Sequence, residues 1–437
     1  MRRTLEEWLT LQESVHPKTI DLGLARVLPV ARALGVAAPD FAVLTVGGTN
    51  GKGSIAATLE ALLRARGART GLFTSPHFLR YNERVRLDGS DVADAPLIAA
   101  FERIEAARGA ITLSFFEYNT LAALVVFSAH AVDVAVLEVG LGGRLDATNL
   151  VDADTAVLAS VGFDHRDWLG DTLELIGAEK AGIFRPGRPA VLGTPEMPAS
   201  VYGAIRSLGS LPVIAGRDFS WLVGERGWDY AGLALSLQRL PPPALAGSIQ
   251  YRNAATALAA LEALTRDASG ARDAVRRLAA RLAPADAAST ARALRAVRLA
   301  GRFQIVPGPV EWILDIAHNQ PAAQVLAVQL AERPLPRPGG ATRAVIGVLA
   351  DKDAPAIAAA LRAVIDHWFV CALPGARGLS AQELAERLGL PREIMTLAPG
   401  VTQGCELAAA ASRSGDRVVV CGSVHTVGPA LEWLRIY

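Results

Sequence analysis

The chain has 437 residues, long enough for two or three domains, and 51% of them are hydrophobic, ample for sizeable cores. A formal net charge of +1 gives no electrostatic footprint for nucleic acid or a membrane surface. The opening "MRRTLEEWLTLQES" lacks a signal peptide's apolar core, and the most apolar stretch, "TLAALVVFSAHAVDVAVLEVG", is broken by His130 and Asp133 and is too short to span a bilayer. Cys371, Cys405 and Cys421 have no metal-type spacing, so a soluble cytoplasmic protein is expected.

In chain order, "FAVLTVGG" predicts a buried strand and "SIAATLEALLRARG" a helix closed by Gly67. "RTGLFTS" predicts a second short strand, and "PHFLRYNERVRLDG" (76–89) an irregular segment. A helical stretch follows over 94–108, then a mostly buried helix in "FFEYNTLAALVVFSAHAV". "DVAVLEVGLGG" and "DTAVLASVG" are continuous apolar strands. "TLELIGAEKAGIF" is a helix ended by Pro186, and "PAVLG" another strand. Apolar strands alternating with helices predict a parallel sheet covered on both faces.

Residues 211–248 change to alternating short strands with a Pro-rich turn. "YRNAATALAALEALT" restores a helix, and an Ala/Arg-rich helical stretch runs to about 298. A second βα series follows in "EWILDIAHN", "TRAVIGVLADKD", "HWFVCALPG" and "DRVVVCGSVHTVG". The expected fold is α/β. A phosphate-loop domain with a mostly parallel sheet spans 1–297, and a smaller Rossmann-like α/β domain spans 298–437.

Of 44 basic residues only Lys18, Lys52, Lys180 and Lys352 are lysine. Arginine stays protonated, whereas lysine is a compact point charge that can lose its proton, so a lysine here can mark a place where arginine would not serve. Lys52 lies in "GGTNGKGS", between a strand and a helix. That arrangement aims backbone N–H groups at a phosphate. Gly48, Gly51 and Gly53 let the backbone approach an anion, Lys52 supplies charge, and Ser54 opens the helix with a hydroxyl. The Walker pattern is matched imperfectly, because Gly53 separates Lys52 from Ser54 and Val46 replaces the first glycine.

The heptad "GTNGKGS" (Gly48, Thr49, Asn50, Gly51, Lys52, Gly53, Ser54) resembles the ATP loop of the Mur-ligase superfamily. "TSPHFLRYNERVRLDG", "LEVGLGGRLDATN", "EKAGIF", "LDIAHN" and "GSVHTVG" resemble its folate branch, the folylpolyglutamate and dihydrofolate synthases, over almost the whole length. The resemblance implies an ATP-dependent ligase that joins L-glutamate to dihydropteroate, and further glutamates to dihydrofolate or tetrahydrofolate. It implies two Mg²⁺ ions, no organic prosthetic group and a monomer.

A nucleoside triphosphate needs Mg²⁺, which prefers oxygen ligands. Glu138 ends an apolar strand, where active-site groups of a parallel sheet emerge, and His165 follows the next strand. The resemblance assigns both to magnesium together with Ser75; on the residues alone Glu138 can be a capping or ion-paired carboxylate and His165 a loop residue. It also implies that Lys180 is carbamylated by CO₂, a chemistry closed to arginine, although a surface lysine paired with an acid fits the same pattern. In the second domain it assigns Arg302 and Asp315 to ATP, with His318 nearby, and in the first domain Asn253 to adenine. Asp315 as a strand-end turn residue and Asn253 as an N-cap are the plain alternatives.

For the acceptor, "TIDLGL" matches the segment beside the pterin in bifunctional members. The resemblance places Ile20, Asp21, Leu22, Ser114, Phe115, Phe116 and Leu145 on the pterin. An aromatic pair suits a flat heterocycle, yet two phenylalanines before a buried helix also fit a core, and Asp21 can cap the helix that follows. A chain-extending folylpolyglutamate synthase remains open, as does a P-loop ATPase or phosphotransferase that makes no amide. His77 is a candidate for positioning the acceptor, not a general base, and no role follows from sequence for Lys352 or His425.

Overall fold

The computed structural model describes residues 3–18, 20–266 and 270–437. Thr19, the first residue of "TIDLGL", lies outside them. Two compact units form, one from residues 1–162, 166–244 and 251–297, the other from 163–165, 245–250 and 298–437.

The first unit is organised by eight strands: β1 (Ala42–Gly47), β2 (Thr70–Phe73), β3 (Val85–Leu87), β4 (Ser90–Asp91), β5 (Val134–Glu138), β6 (Thr155–Leu158), β7 (Pro189–Leu192) and β8 (Leu211–Ile214). Their order is β4-β3-β2-β5-β1-β6-β7-β8, and every strand runs parallel except β3, which is antiparallel to both of its neighbours, β2 and β4. Every residue of β1 and β5 is buried, as expected of strands covered on both faces. The chain order reverses beside β1, which lies between β5 and β6. Val46 pairs with Glu138 and Gly47 with Leu158, so three loops leave the sheet at its ligand-binding crevice.

The helix Phe115–Ala129 is buried at every position from Glu117 to Phe127, which explains why its sequence shows little amphipathic alternation. Phe127 is fully buried, and such burial contributes roughly 1.5–3 kcal/mol. Its ring lies 2.5 Å from where a Cβ on Gly71 would stand, so Gly71→Ala would force strand and helix apart.

The segment 76–89 is more ordered than its irregular pattern predicts. Tyr81–Arg84 form a 3₁₀ turn, β3 pairs antiparallel with β2, and Asp88–Gly89 make a two-residue hairpin loop into β4. Both loop residues have positive φ (48° and 81°), the conformation that Asp-Gly favours in tight hairpins. Beyond β8, β9 (Ser220–Gly224), β10 (Gly227–Ala231) and β11 (Ser236–Leu240) form a small antiparallel sheet.

The second unit holds β12 (Gln304–Val306), β13 (Glu311–Leu314), β14 (Thr342–Ile346), β15 (His367–Cys371), β16 (Met395–Ala398) and β17 (Arg417–Cys421), ordered β12-β13-β17-β14-β15-β16. All but β12 run parallel, so both large sheets have the α/β character that the patterning predicts. Among the described residues no helix is long and apolar enough to cross a membrane.

Candidate active site

The glycine loop leaves β1 and enters the helix Lys52–Ala65. Gly48 has φ 139° and Gly51 φ 91°. A Cβ at Gly48 would meet Ala159, and one at Gly51 would stand 3.0 Å from Asn253 Oδ1. Only glycine fits both the conformation and the space. The loop is tied to the segment after β6: Thr49 N–H donates to Ser160 O (2.8 Å), Asn50 N–H to Ser160 Oγ (3.2 Å), and Thr49 Oγ1 to Gly162 O (3.1 Å). Gly53 and Ser54 are buried in the helix's first turn, where backbone N–H groups await an acceptor. Asn253 is buried against the loop from within the helix Ile249–Thr265, so it is not an N-cap.

Two lysines converge on this loop. Lys52 Nζ donates to the carbonyls of Gly48 (3.0 Å) and Thr49 (3.2 Å). Lys180 Nζ donates to the same Gly48 carbonyl at 3.2 Å, from the last turn of the helix Leu173–Ala181. Lys180 is buried, so it is not a surface lysine, and its neighbour Glu179 pairs with Arg144 at 3.0 Å. Glu138 is buried at the end of β5 and accepts the Ser75 N–H at Oε2 (3.3 Å), which sets two oxygen-bearing side chains on adjoining segments.

The acceptor candidates also converge. Gly23 N–H donates to Leu145 O (3.1 Å), which brings Ile20, Asp21 and Leu22 beside the loop of Leu145. Asp21 does not cap the next helix, whose N-cap is Arg26. Instead its carboxylate meets His16 (3.0 Å), Arg26 (2.9 Å) and Lys18 (3.5 Å). The hydrogen bond from His16, with help from these cations, holds its pKa below the usual value against the cost of burial. Arg26 also reaches Glu117 (3.1 Å), and Glu117 closes a capping box with Ser114. Phe115 and Phe116 are partly buried against the core; Phe116 packs on Gly140 and Phe73, and Phe115 on Tyr81.

In the second unit Asp315 ends β13, and its carboxylate accepts the N–H groups of Phe303 (2.8 Å) and Ala317 (2.9 Å), as a strand-end turn residue would. Burial pushes its pKa up, with Arg302 pulling against it. Asp164, absent from the sequence-based candidates, is the hub of this unit's charge. It accepts Lys352 Nζ (2.6 Å) and Asn319 Nδ2 (2.9 Å), and His318 Nε2 lies 3.4 Å away. Burial works to raise the Asp164 pKa, but the His318 hydrogen bond and the charges of His165, His318 and Lys352 hold it far below the carboxylate range. His318 engages the Ile316 carbonyl through Nδ1 (2.9 Å), which fixes the ring. His165, beside this hub, has φ 52°, unusual for a non-glycine residue.

Residues 301–424 match the family described as Mur ligase, glutamate ligase domain. Over 428 residues the chain is 44% identical to the dihydrofolate synthase/folylpolyglutamate synthase of Escherichia coli (strain K12), covering 98% of this chain and 95% of that protein. The chain belongs to the dihydrofolate synthase/folylpolyglutamate synthase family. The Haemophilus influenzae member is 39% identical, covering 97% of this chain and 96% of its own. A structure of E. coli FolC in complex with DHPP and ADP superimposes with a TM-score of 0.89 at 42% identity, covering 99% of this chain and 98% of that one. Another member of the dihydrofolate synthase/folylpolyglutamate synthase family, solved with Mn, AMPPNP and L-glutamate bound, gives a TM-score of 0.87 at 40% identity, with 99% and 98% covered.

Set in this family, three residues without a sequence-derived role gain a structural one: Asp164, Lys352 and Arg26. Lys352 carried a signal, its rarity. Arg26 and Asp164 carried none, because their partners are distant in sequence.

Proposed function

We propose that this chain is a bifunctional ATP-dependent ligase that adds L-glutamate to dihydropteroate, making dihydrofolate, and further glutamates to folates. The observation that carries the reading is the meeting, in one unit, of a glycine phosphate loop with the buried Glu138, bonded to Ser75, and the converging acceptor segments. That Gly23 bonds to the Leu145 carbonyl, bringing Ile20, Asp21 and Leu22 beside that loop, favours dihydropteroate as an acceptor over chain extension alone. In this reading 1–297 is the ATP-binding domain with the acceptor site, and 298–437 closes over ATP and glutamate.

Each step follows from named groups. Gly48 to Ser54 cradle the phosphates, with Asn253 at adenine and Arg302 and Asp315 from the second unit. The γ-phosphoryl passes to the acceptor carboxylate to give an acyl phosphate, the amine of glutamate attacks its carbonyl carbon, and phosphate leaves as the amide forms. Lys52, already folded over the loop, offsets charge on the transferring oxygens, and such preorganised electrostatics carry most of phosphoryl transfer. In this reading His318, its ring fixed at Nδ1, positions the amino acid. Ile20, Asp21, Leu22, Ser114, Phe115, Phe116 and Leu145 orient the pterin.

The Glu138 carboxylate and Ser75 hydroxyl are oxygen donors of the kind magnesium takes, and with His165 they would hold it while waters and phosphates fill the remaining positions. Magnesium would there neutralise phosphate charge. Lys180 is buried beside the loop, and its primary amine, unlike a guanidinium, can add CO₂ as a carbamate. A ¹³CO₂-labelled carbamate resonance, lost in Lys180→Arg, tests this. The protein is expected to act as a monomer in the cytoplasm.

The deciding experiment measures phosphate release with Mg-ATP and L-glutamate, using dihydropteroate, tetrahydrofolate or no acceptor, with products weighed by mass spectrometry. Each acceptor should gain one glutamate. Turnover with tetrahydrofolate alone would restrict the chain to extension, and hydrolysis without amide would sink the ligase reading.

A further inference from the structure

Among the described residues only two arginines are buried, Arg84 and Arg417. They are treated differently. Arg417, 1% exposed, donates to the Glu311 carboxylate at 2.8 Å and to the carbonyls of Leu330, Arg333 and Pro334. Arg84, 8% exposed, has no carboxylate within ion-pair distance among the described residues. Its Nε donates to His77 Nδ1 (2.7 Å), and its guanidinium carbon lies 5.5 Å from the Phe115 ring centre and 6.0 Å from that of Tyr81. Burying a cation with no carboxylate in direct contact is costly, and the charges of Glu83 and Glu138 act on Arg84 only from beyond ion-pair distance. Cation–π contacts return only part of that cost. A protein that keeps such a group has a use for it.

The surroundings narrow that use. The Arg84 carbonyl accepts the Thr74 N–H at 2.9 Å, which fastens the residue beside Ser75. Its charge is felt by Glu138, and its plane is held by His77, whose accepting Nδ1 places the ring proton on Nε2. The guanidinium thus stands between Phe115, on the acceptor side, and the Glu138–Ser75 pair, on the phosphoryl side, with its Nη donors uncommitted to any carboxylate. Arginine's planar fork matches a carboxylate's two oxygens.

We propose that Arg84 is a catalytic residue that binds the reacting carboxylate of the acceptor and aims it at the γ-phosphate, with His77 as its positioning residue. The inference rests on the functional reading above. It gives the "SPHFLRYNER" segment a chemical purpose, since His77 and Arg84 come from its two ends.

The test compares binding of dihydropteroate with that of its neutral, isosteric carboxamide by calorimetry, in wild type, Arg84→Gln and Arg84→Lys. Wild type should prefer the acid by about tenfold or more. Arg84→Gln should lose that preference while binding the carboxamide as wild type does, and its acceptor KM should rise by a similar factor. Arg84→Lys, which keeps charge but loses the fork, should fall between. An unchanged acid preference in either variant overturns the proposal, as does an equal loss of acid and carboxamide binding, the mark of a merely structural residue. A wild-type protein that neither binds dihydropteroate nor joins glutamate to it would instead overturn the functional reading itself.

Discussion

Charge is handled on opposite plans around the phosphate loop and around Asp164. At the loop, donors gather on the backbone and on rings: Lys52 and Lys180 share one carbonyl, and Arg84 leans on an imidazole and aromatic faces. Around Asp164 one carboxylate collects Lys352, Asn319 and the histidines. A cluster centred on its own buried carboxylate is built to hold shape, and one whose donors gather at a glycine loop is built to receive anions. The same side chain, lysine, serves both ends.

The comparison can be broken by mutation. Lys52→Ala should lower kcat about a thousandfold, the scale of losing a preorganised charge donor. Its melting temperature should barely change, and a marked loss of stability would show that Lys52 holds the fold rather than the phosphate. Lys352→Met should do the reverse, destabilising the protein by about 3 kcal/mol in urea unfolding by leaving Asp164 without its ammonium.

Glu311→Gln sharpens the second-unit side. Burial would raise the Glu311 pKa, but hydrogen bonds from Arg333 and Arg417 hold it below the usual value of 4.5. Its contribution is therefore complete above that value and is lost as pH falls through the lower folded one. The variant should lose about 2 kcal/mol at neutral pH and show a flatter acid transition below 4.5, the usual carboxyl value. The smallest effect belongs to Ser114→Ala, about 1 kcal/mol from the lost helix cap. If it also raised the KM for dihydropteroate, the hydroxyl would have a second role on the pterin.

The phosphate loop was readable from sequence because its parts are contiguous and its glycines are demanded by conformation. The Ser114–Glu117 capping box was equally local, four residues in a row, yet the sequence reading gave Ser114 only a pterin contact. Arg84 was not readable. With 40 of 44 basic residues being arginine, its identity carries no contrast, and what singles it out is burial without a carboxylate, a property of packing. The Asp88–Gly89 hairpin shows the converse: its signal was present, and the surrounding loop-like composition obscured it.

The threading of the chain has a consequence for how the molecule is made. Residues 163–165 and 245–250 pack with the second unit although both flanks of each belong to the first, so the chain passes between units five times. Asp164 finds Asn319 only 155 residues later and Lys352 188 residues later. At ribosomal speeds of about 5–20 residues per second, the aspartate waits roughly 10–40 s for its ammonium partner. During that interval Asp164 has only its neighbour His165 among its charged partners, and co-translational folding cannot finish one unit before beginning the other.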